Sequence, residues 1–117
     1  MAENITVDPK DAQDNKVMAI LAYVGILVLV PIFAAKESPF ARYHANQGIL
    51  LCIASMAIGI VVSILFMILV FISPALAMIS YLLTFIIPVL AVIGIINAVK
   101  GEAKPLPIIG NLFTIIK

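Results

Sequence analysis

The sequence has one histidine and one cysteine, and no Asp, Glu, Lys or Arg between residues 43 and 99. Each scarcity excludes something. A lone cysteine cannot close an intramolecular disulfide, and it leaves the redox compartment open. A metal site needs several converging ligands. His44 and Cys52 are eight residues apart, about 12 Å along a helix, so they cannot share an ion. Cys52 also lacks a base within two turns, whereas nucleophilic catalysis needs one beside the nucleophile. A thiol in apolar surroundings is inert. Proton pumps and ion carriers use intramembrane carboxylates, and the uncharged stretch offers none, with Asn97 its nearest approach to a polar site. No glycine-rich phosphate cradle is present. The net charge of +1 gives no basic face for nucleic acid. The expectation is a non-enzymatic protein without cofactor or metal.

What the chain has in excess is hydrocarbon. Hydrophobic residues make up 64% and charged residues 11%, with a mean hydropathy of +1.25. Soluble domains run at about 45–50% and about 25%. A 117-residue chain cannot hide that surplus in one core, because small domains have too much surface for their volume. Lipid is the solvent that accommodates it. The expected class is an all-α, integral membrane helical bundle of three transmembrane helices with a short C-terminal interfacial segment.

Residues 1–16 are polar and read as a flexible tail. The first span covers about 17–35, close to the roughly 20 residues that cross hydrocarbon. A signal peptide would have a shorter apolar region behind a basic segment, and this run follows an acidic tail. Asp14 or Asn15 can cap the first helix. Ser38-Pro39 is a start signal: the hydroxyl caps and proline occupies the first turn. The second helix runs to about Ile72, on the order of 50 Å, which exceeds the roughly 30 Å hydrocarbon layer. Its start, 39–47, therefore lies at the headgroup level or buries against protein, and the span itself covers about 48–72, with Gly48 as a place for a bend. Ser73-Pro74 repeats the start signal, and a third span covers about 76–99. Gly101 suits the left-handed position after a helix. Residues 107–117 read as an amphipathic in-plane tail, with Ile108, Ile109, Leu112, Phe113 and Ile116 on one face. A Gly-Asn turn is the competing reading.

Two patterns locate candidate functional residues. His44, Gly48, Cys52, Ser55, Gly59 and Ser63 form one helical stripe of small or polar groups, and Ala77, Ser80, Thr84, Ala91, Gly94 and Ala98 form a similar face on the third span. Small residues let membrane helices approach closely. The stripe serves intramolecular packing, or a seam to a second copy or another membrane protein. The second pattern is an interfacial polar cluster of Arg42, Tyr43, His44, Asn46 and Gln47. Arg42 can snorkel to phosphates, Tyr43 suits the aromatic belt, and His44 can donate across to another helix. Pro31 and Pro88 lie inside spans and remove the bonds to the Leu27 and Thr84 carbonyls, so each predicts a kink or a hinge. The expected partners are the lipid bilayer and a homo-oligomer or other membrane protein, with no nucleic acid. With three spans, the tail and the 71–80 turn share one side and hold two basic residues, Lys10 and Lys16. The 36–47 loop and C-terminus share the other and hold five, namely Lys36, Arg42, Lys100, Lys104 and Lys117. The positive-inside rule puts that second side in the cytoplasm and the tail outside, for a multi-pass protein of the cell membrane.

The run NKVMAILAYVGILVLVPIFAAKESPFARYHANQGILL and the closing VIGIINAVKGEAKPLPIIG resemble a family of small bacterial and archaeal membrane proteins of unassigned function. That family is related to the Tic-type import component of the chloroplast inner envelope and includes magnetosome membrane proteins implicated in crystal maturation. The resemblance covers roughly residues 15–112 and rests most on Phe40, His44 and Gln47, then on Asn97, Gly101 and Pro107. Its plastid members are four-span translocon proteins, which implies a translocation or permeation role. This chain has three clear spans and only a short fourth apolar piece. Its magnetosome members imply a scaffold or assembly role on membranes. A lipid-responsive or immunity-type protein using Lys36, Arg42 and the terminal segment is the third reading.

Overall fold

The computed structural model describes residues 7–107, 109 and 110, and among these the chain is helical with no strand. Helix α1 is Pro9–Asp14, α2 is Lys16–Leu21, α3 is Leu29–Ala34 and α4 is Pro39–Leu69. Helices α5, Pro74–Ile79, and α6, Ile86–Val99, are joined by a 3-10 segment, Ser80–Phe85. The described segments form a rod of 55 × 22 × 22 Å.

Two helices are long and apolar enough to cross a membrane, Pro39–Leu69 and the α5–α6 unit Pro74–Val99. At 1.5 Å per residue each exceeds the roughly 30 Å hydrocarbon layer. Three such helices were expected, and the first apolar run supplies none. It breaks into α2, a 3-10 turn at Gly25–Val28 and α3. The local cause is legible. The end of α2 tightens, with Tyr23 N–H donating to the Ile20 carbonyl and Val24 N–H to that of Leu21, both at 3.1 Å. Gly25 then adopts φ +55°, a left-handed conformation that costs glycine little. Pro31 lacks the N–H that would bond Leu27, and the chain ahead of it is 3-10.

The result is a hairpin. α2 and α3 pack against each other and against α4. The flanks of the run also meet. Ser38 Oγ donates to Asp11 Oδ1 at 2.5 Å, and Phe40 N–H donates to Asp11 Oδ2 at 3.1 Å. The hairpin tip reaches Cys52, whose thiol lies 3.7 Å from the Gly25 carbonyl. The tail and the 36–47 loop, expected on opposite sides, stand instead at the same end of the rod.

The tail, expected to be flexible, is helical over Pro9–Asp14 in its described part. Asp8 accepts from Lys10 N–H at 3.0 Å and Pro9 sits at the first helical turn, so α1 starts where proline seemed an interruption. Ala12 buries against Ala19, Phe40 and Ala98. Asn15 does not cap α2 through its side chain. Its amide donates instead to Asp11 at 2.9 Å.

α4 starts as expected, with Ser38 Oγ accepting from Ala41 N–H at 3.1 Å. α5 starts at Pro74 without a side-chain bond from Ser73. The helix α4 runs unbroken through Gly48. That glycine makes room rather than a bend: a Cβ there would overlap the Ala22 carbonyl. Gly94 does the same for the Tyr23 ring. Small residues on both long helices thus clear space for the hairpin. Pro88 follows the 3-10 segment, where its missing N–H leaves Thr84 without an α-helical partner.

Packing divides the rod in two. From Phe40 to Leu51, α4 is buried except at Arg42 and Ile49. Beyond that, Val62 is its one buried residue among those described, and Ile60, Met67, Phe71, Met78 and Phe85 are exposed. One end is a packed polar assembly; the other is a bare apolar helix pair.

The glycines separate these regimes. Gly48→Ala should destabilise the protein by about 1–3 kcal/mol through overpacking. Gly59→Ala, where a Cβ meets nothing within 4 Å, should be neutral or stabilising by up to about 1 kcal/mol. Thermal unfolding in detergent micelles reads the difference.

Candidate functional site: a buried polar junction

The end of α6 sets up the junction. Gly101 takes φ +73°, its N–H donates to the Ala98 carbonyl at 3.1 Å, and Glu102 N–H donates to Asn97 at 2.9 Å. This paired motif ends helices and turns the chain sharply. It brings the Glu102 carbonyl to His44 Nε2 at 2.8 Å. A carbonyl only accepts, so Nε2 carries the hydrogen. The other ring nitrogen, Nδ1, lies 2.5 Å from the Tyr23 hydroxyl, which donates to it. His44 thus ties the hairpin to the C-terminal segment.

The packing around the ring is aromatic. Phe40, Tyr23 and Tyr43 meet it edge-on, at centroid distances of 4.8, 5.5 and 5.7 Å. Such contacts add about 0.5–1.5 kcal/mol per pair beyond area burial. Tyr43 reaches this packing with its hydroxyl buried and unpartnered.

Gln47 lies one turn further along α4 and is fully buried. Its Oε1 accepts from Leu106 N–H at 2.9 Å, and its Nε2 donates to the Gly110 carbonyl at 3.0 Å. Gly110 N–H in turn donates to the Leu106 carbonyl at 3.0 Å. One side-chain amide therefore clamps a backbone turn. Gly110 has to be glycine, since a Cβ would overlap Leu106 and Gln47. Leu106 is the apolar anchor, buried with Ala22, Ala45 and Leu90.

The expected cluster separates by role. His44 and Gln47 are the junction. Asn46 is buried beside them. Arg42 stays at the rim, its Nη1 donating to the Lys36 carbonyl at 3.4 Å. The expected stripe divides along its length: His44 and Gly48 are buried, Cys52 and Ser55 half-buried, Gly59 and Ser63 exposed. Of the opposite face, Ala77, Ser80, Gly94 and Ala98 are buried. Residues 108 and 111–117, which hold most of the proposed amphipathic tail, lie outside the described residues. Sequence reasoning missed Tyr23, Asp11, Leu106 and Gly110. Tyr23 gave a signal, as the single polar side chain in the run 17–35.

His44 and Gln47 have partnered polar atoms, and among the described residues no three His, Cys, Asp or Glu side chains could hold a metal ion. Its chemistry is that of a fastener. A sequence profile places the chain among known proteins: the magnetosome magnetite crystal formation protein family matches residues 14–113. The chain belongs to that family. The matched region holds Tyr23, His44, Gln47, Leu106 and Gly110, the complete junction. A curated relative is Magnetosome protein MamF of Magnetospirillum gryphiswaldense (strain DSM 6361 / JCM 21280 / NBRC 15271 / MSR-1), 37% identical over 54 residues, which cover 44% of this chain and 49% of that protein. The chain thus spans about half the length of the curated relative it matches. Neither match is to a Tic-type import component. No solved structure matches.

Within this family member the clamp is directly testable. Gln47→Ala leaves a buried N–H and a buried carbonyl unpaired, at a cost of about 1–3 kcal/mol each. Amide exchange at Leu106 should accelerate and limited proteolysis should cut within 102–107, while α4 and α6 remain protected. Unchanged exchange at Leu106 contradicts the clamp.

Proposed function

We propose that this protein is a membrane-embedded scaffold that supports magnetite crystal formation by packing with copies of itself or with another membrane protein. Two long helices cross the bilayer, and the hairpin enters and leaves from one face. The observation that carries this reading is the division of the rod into a cross-braced polar end and a bare apolar end. Exposed Ile60, Met67, Phe71 and Phe85 suit lipid. In the described structure the polar end serves to hold segments together. A scaffold needs that rigidity, and family membership supports the process it serves.

Charge supports one orientation. Lys10, Lys16, Lys36, Arg42, Lys100 and Lys104 all belong to the polar end, and the connection at 70–73 has no charge. By the positive-inside rule the polar end, including the N-terminal helix, faces the cytoplasm. In a three-span chain Lys10 and Lys16 counted against this; beside a hairpin they count for it.

The exposed lower half of the α4 stripe is the surface for association. Gly59 has open space around it, and Ser63 bonds only its own helix, donating to the Gly59 carbonyl at 2.8 Å. Close approach of a second helix at such residues is what membrane association uses. The test is expression in a magnetite-forming bacterium whose own family member has been removed, with crystal dimensions measured by electron microscopy. The wild-type chain should restore crystal size. Gly59→Leu should insert normally and restore it poorly. A membrane-inserted wild-type chain without any effect on crystals contradicts the proposal.

A further inference from the structure

Carboxylates and lysines are segregated around α1. One cleft, of about 370 Å³, is lined by Asp8, Asp11, Asp14 and Glu37 together with Lys10. Another face of α1 borders a cleft of about 440 Å³ whose lining includes Ala12, Gln13, Lys16, Val99, Lys100 and Gly101, with no carboxylate. Neither lysine has an ion-pair partner among the described residues. The acid nearest Lys100 in sequence, Glu102, is occupied by Lys104 at 3.0 Å, and the one nearest Lys16, Asp14, lines the other cleft.

The cleft also stands at a boundary. Lys16 immediately precedes Val17, which is 65% exposed, and Lys100 immediately follows Val99, 48% exposed. Ile96, one turn below Lys100, is exposed as well. Two lysines thus line one cleft where exposed apolar surface begins. Gln13 adds an amide donor at the rim. A concave site of this volume is in the range of small-ligand sites, and its features call for a ligand with an anionic oxygen group above and a hydrocarbon chain below.

We propose that this cleft binds the phosphate group of an anionic phospholipid, held between Lys16 and Lys100, with an acyl chain lying along Val17, Ile96 and Val99. The proposal rests on the membrane reading above. Lipid bound there would bridge α1 and the end of α6, which line the cleft together.

The test uses the full chain reconstituted in phosphatidylcholine vesicles containing a minor fraction of spin-labelled phosphatidylglycerol or spin-labelled phosphatidylcholine. The wild type should retain immobilised phosphatidylglycerol in preference to phosphatidylcholine. Each Lys→Gln change should weaken that preference roughly fivefold, so Lys16→Gln/Lys100→Gln should abolish it. Lys16→Arg/Lys100→Arg should keep it. Lys36→Gln removes one charge from the same end but outside the cleft, and should leave it intact. Equal losses from Lys36→Gln and Lys16→Gln would reduce the effect to net charge and overturn the site. Displacement of the labelled lipid by millimolar inorganic phosphate would assign the cleft to a free anion and overturn the lipid assignment. Flotation of the wild type and the double variant with neutral vesicles checks embedding separately. If both float and neither prefers phosphatidylglycerol, the cleft proposal fails and the membrane reading stands.

Discussion

A polypeptide in hydrocarbon has no water to satisfy its backbone, and on the membrane reading proposed above that constraint governs the run 17–35. A hairpin that turns inside a bilayer leaves N–H and C=O groups without helical partners, which is tolerated only where protein buries them. Here the turn follows buried Ala22 and Tyr23, with the Gly25 carbonyl against the Cys52 thiol. Gly48 and Gly94 exist, in structural terms, to let that turn come close enough. The Asp11 carboxylate joins the two flanks, accepting from Ser38 and Phe40. Without that closure the run 17–35 would have the length and composition of a crossing helix.

The consequences spread from there. Because the hairpin returns to its starting face, both flanks of the apolar run, the start of α4 and the end of α6 gather at one end of the rod. Polar side chains gather with them. His44 and Gln47 are affordable inside that assembly because each polar atom has a partner: a tyrosine hydroxyl, a carbonyl, and both edges of a backbone turn. Exposed pairs such as Glu102–Lys104 contribute little by comparison. The match to the magnetosome magnetite crystal formation family, residues 14–113, takes in every residue of the junction.

Much of the local structure was legible in the sequence. Ser38-Pro39 and Ser73-Pro74 start helices, Gly101 ends one, and the small face of the third expected span is buried at Ala77, Ser80, Gly94 and Ala98. His44 and Gln47 stood out as polar groups crowded against an apolar run. The path of the first apolar run was not legible. Hydropathy reports that a segment prefers hydrocarbon, and it says nothing about whether the segment crosses or turns back. Gly25 and Pro31 were available as signals, yet single glycines and prolines are tolerated within spans. The decision lies in contacts from Tyr23 to His44 and from Asp11 to Ser38, 21 and 27 residues apart, which no periodicity encodes. The helix within the tail was not legible for a related reason: α1 is too short to read as a helix by itself, and it packs through Ala12.

The hairpin is the claim on which the rest stands, and sidedness tests it directly. In a Cys52→Ser background, single cysteines replace Gln13, Glu37, Ile72 and Lys104 in turn, and a membrane-impermeant maleimide is applied to intact spheroplasts and to inverted vesicles. The account predicts that positions 13, 37 and 104 react in inverted vesicles alone, and that position 72 reacts in spheroplasts alone. Labelling of 13 from the face opposite 37 would make the first run a crossing helix and contradict it.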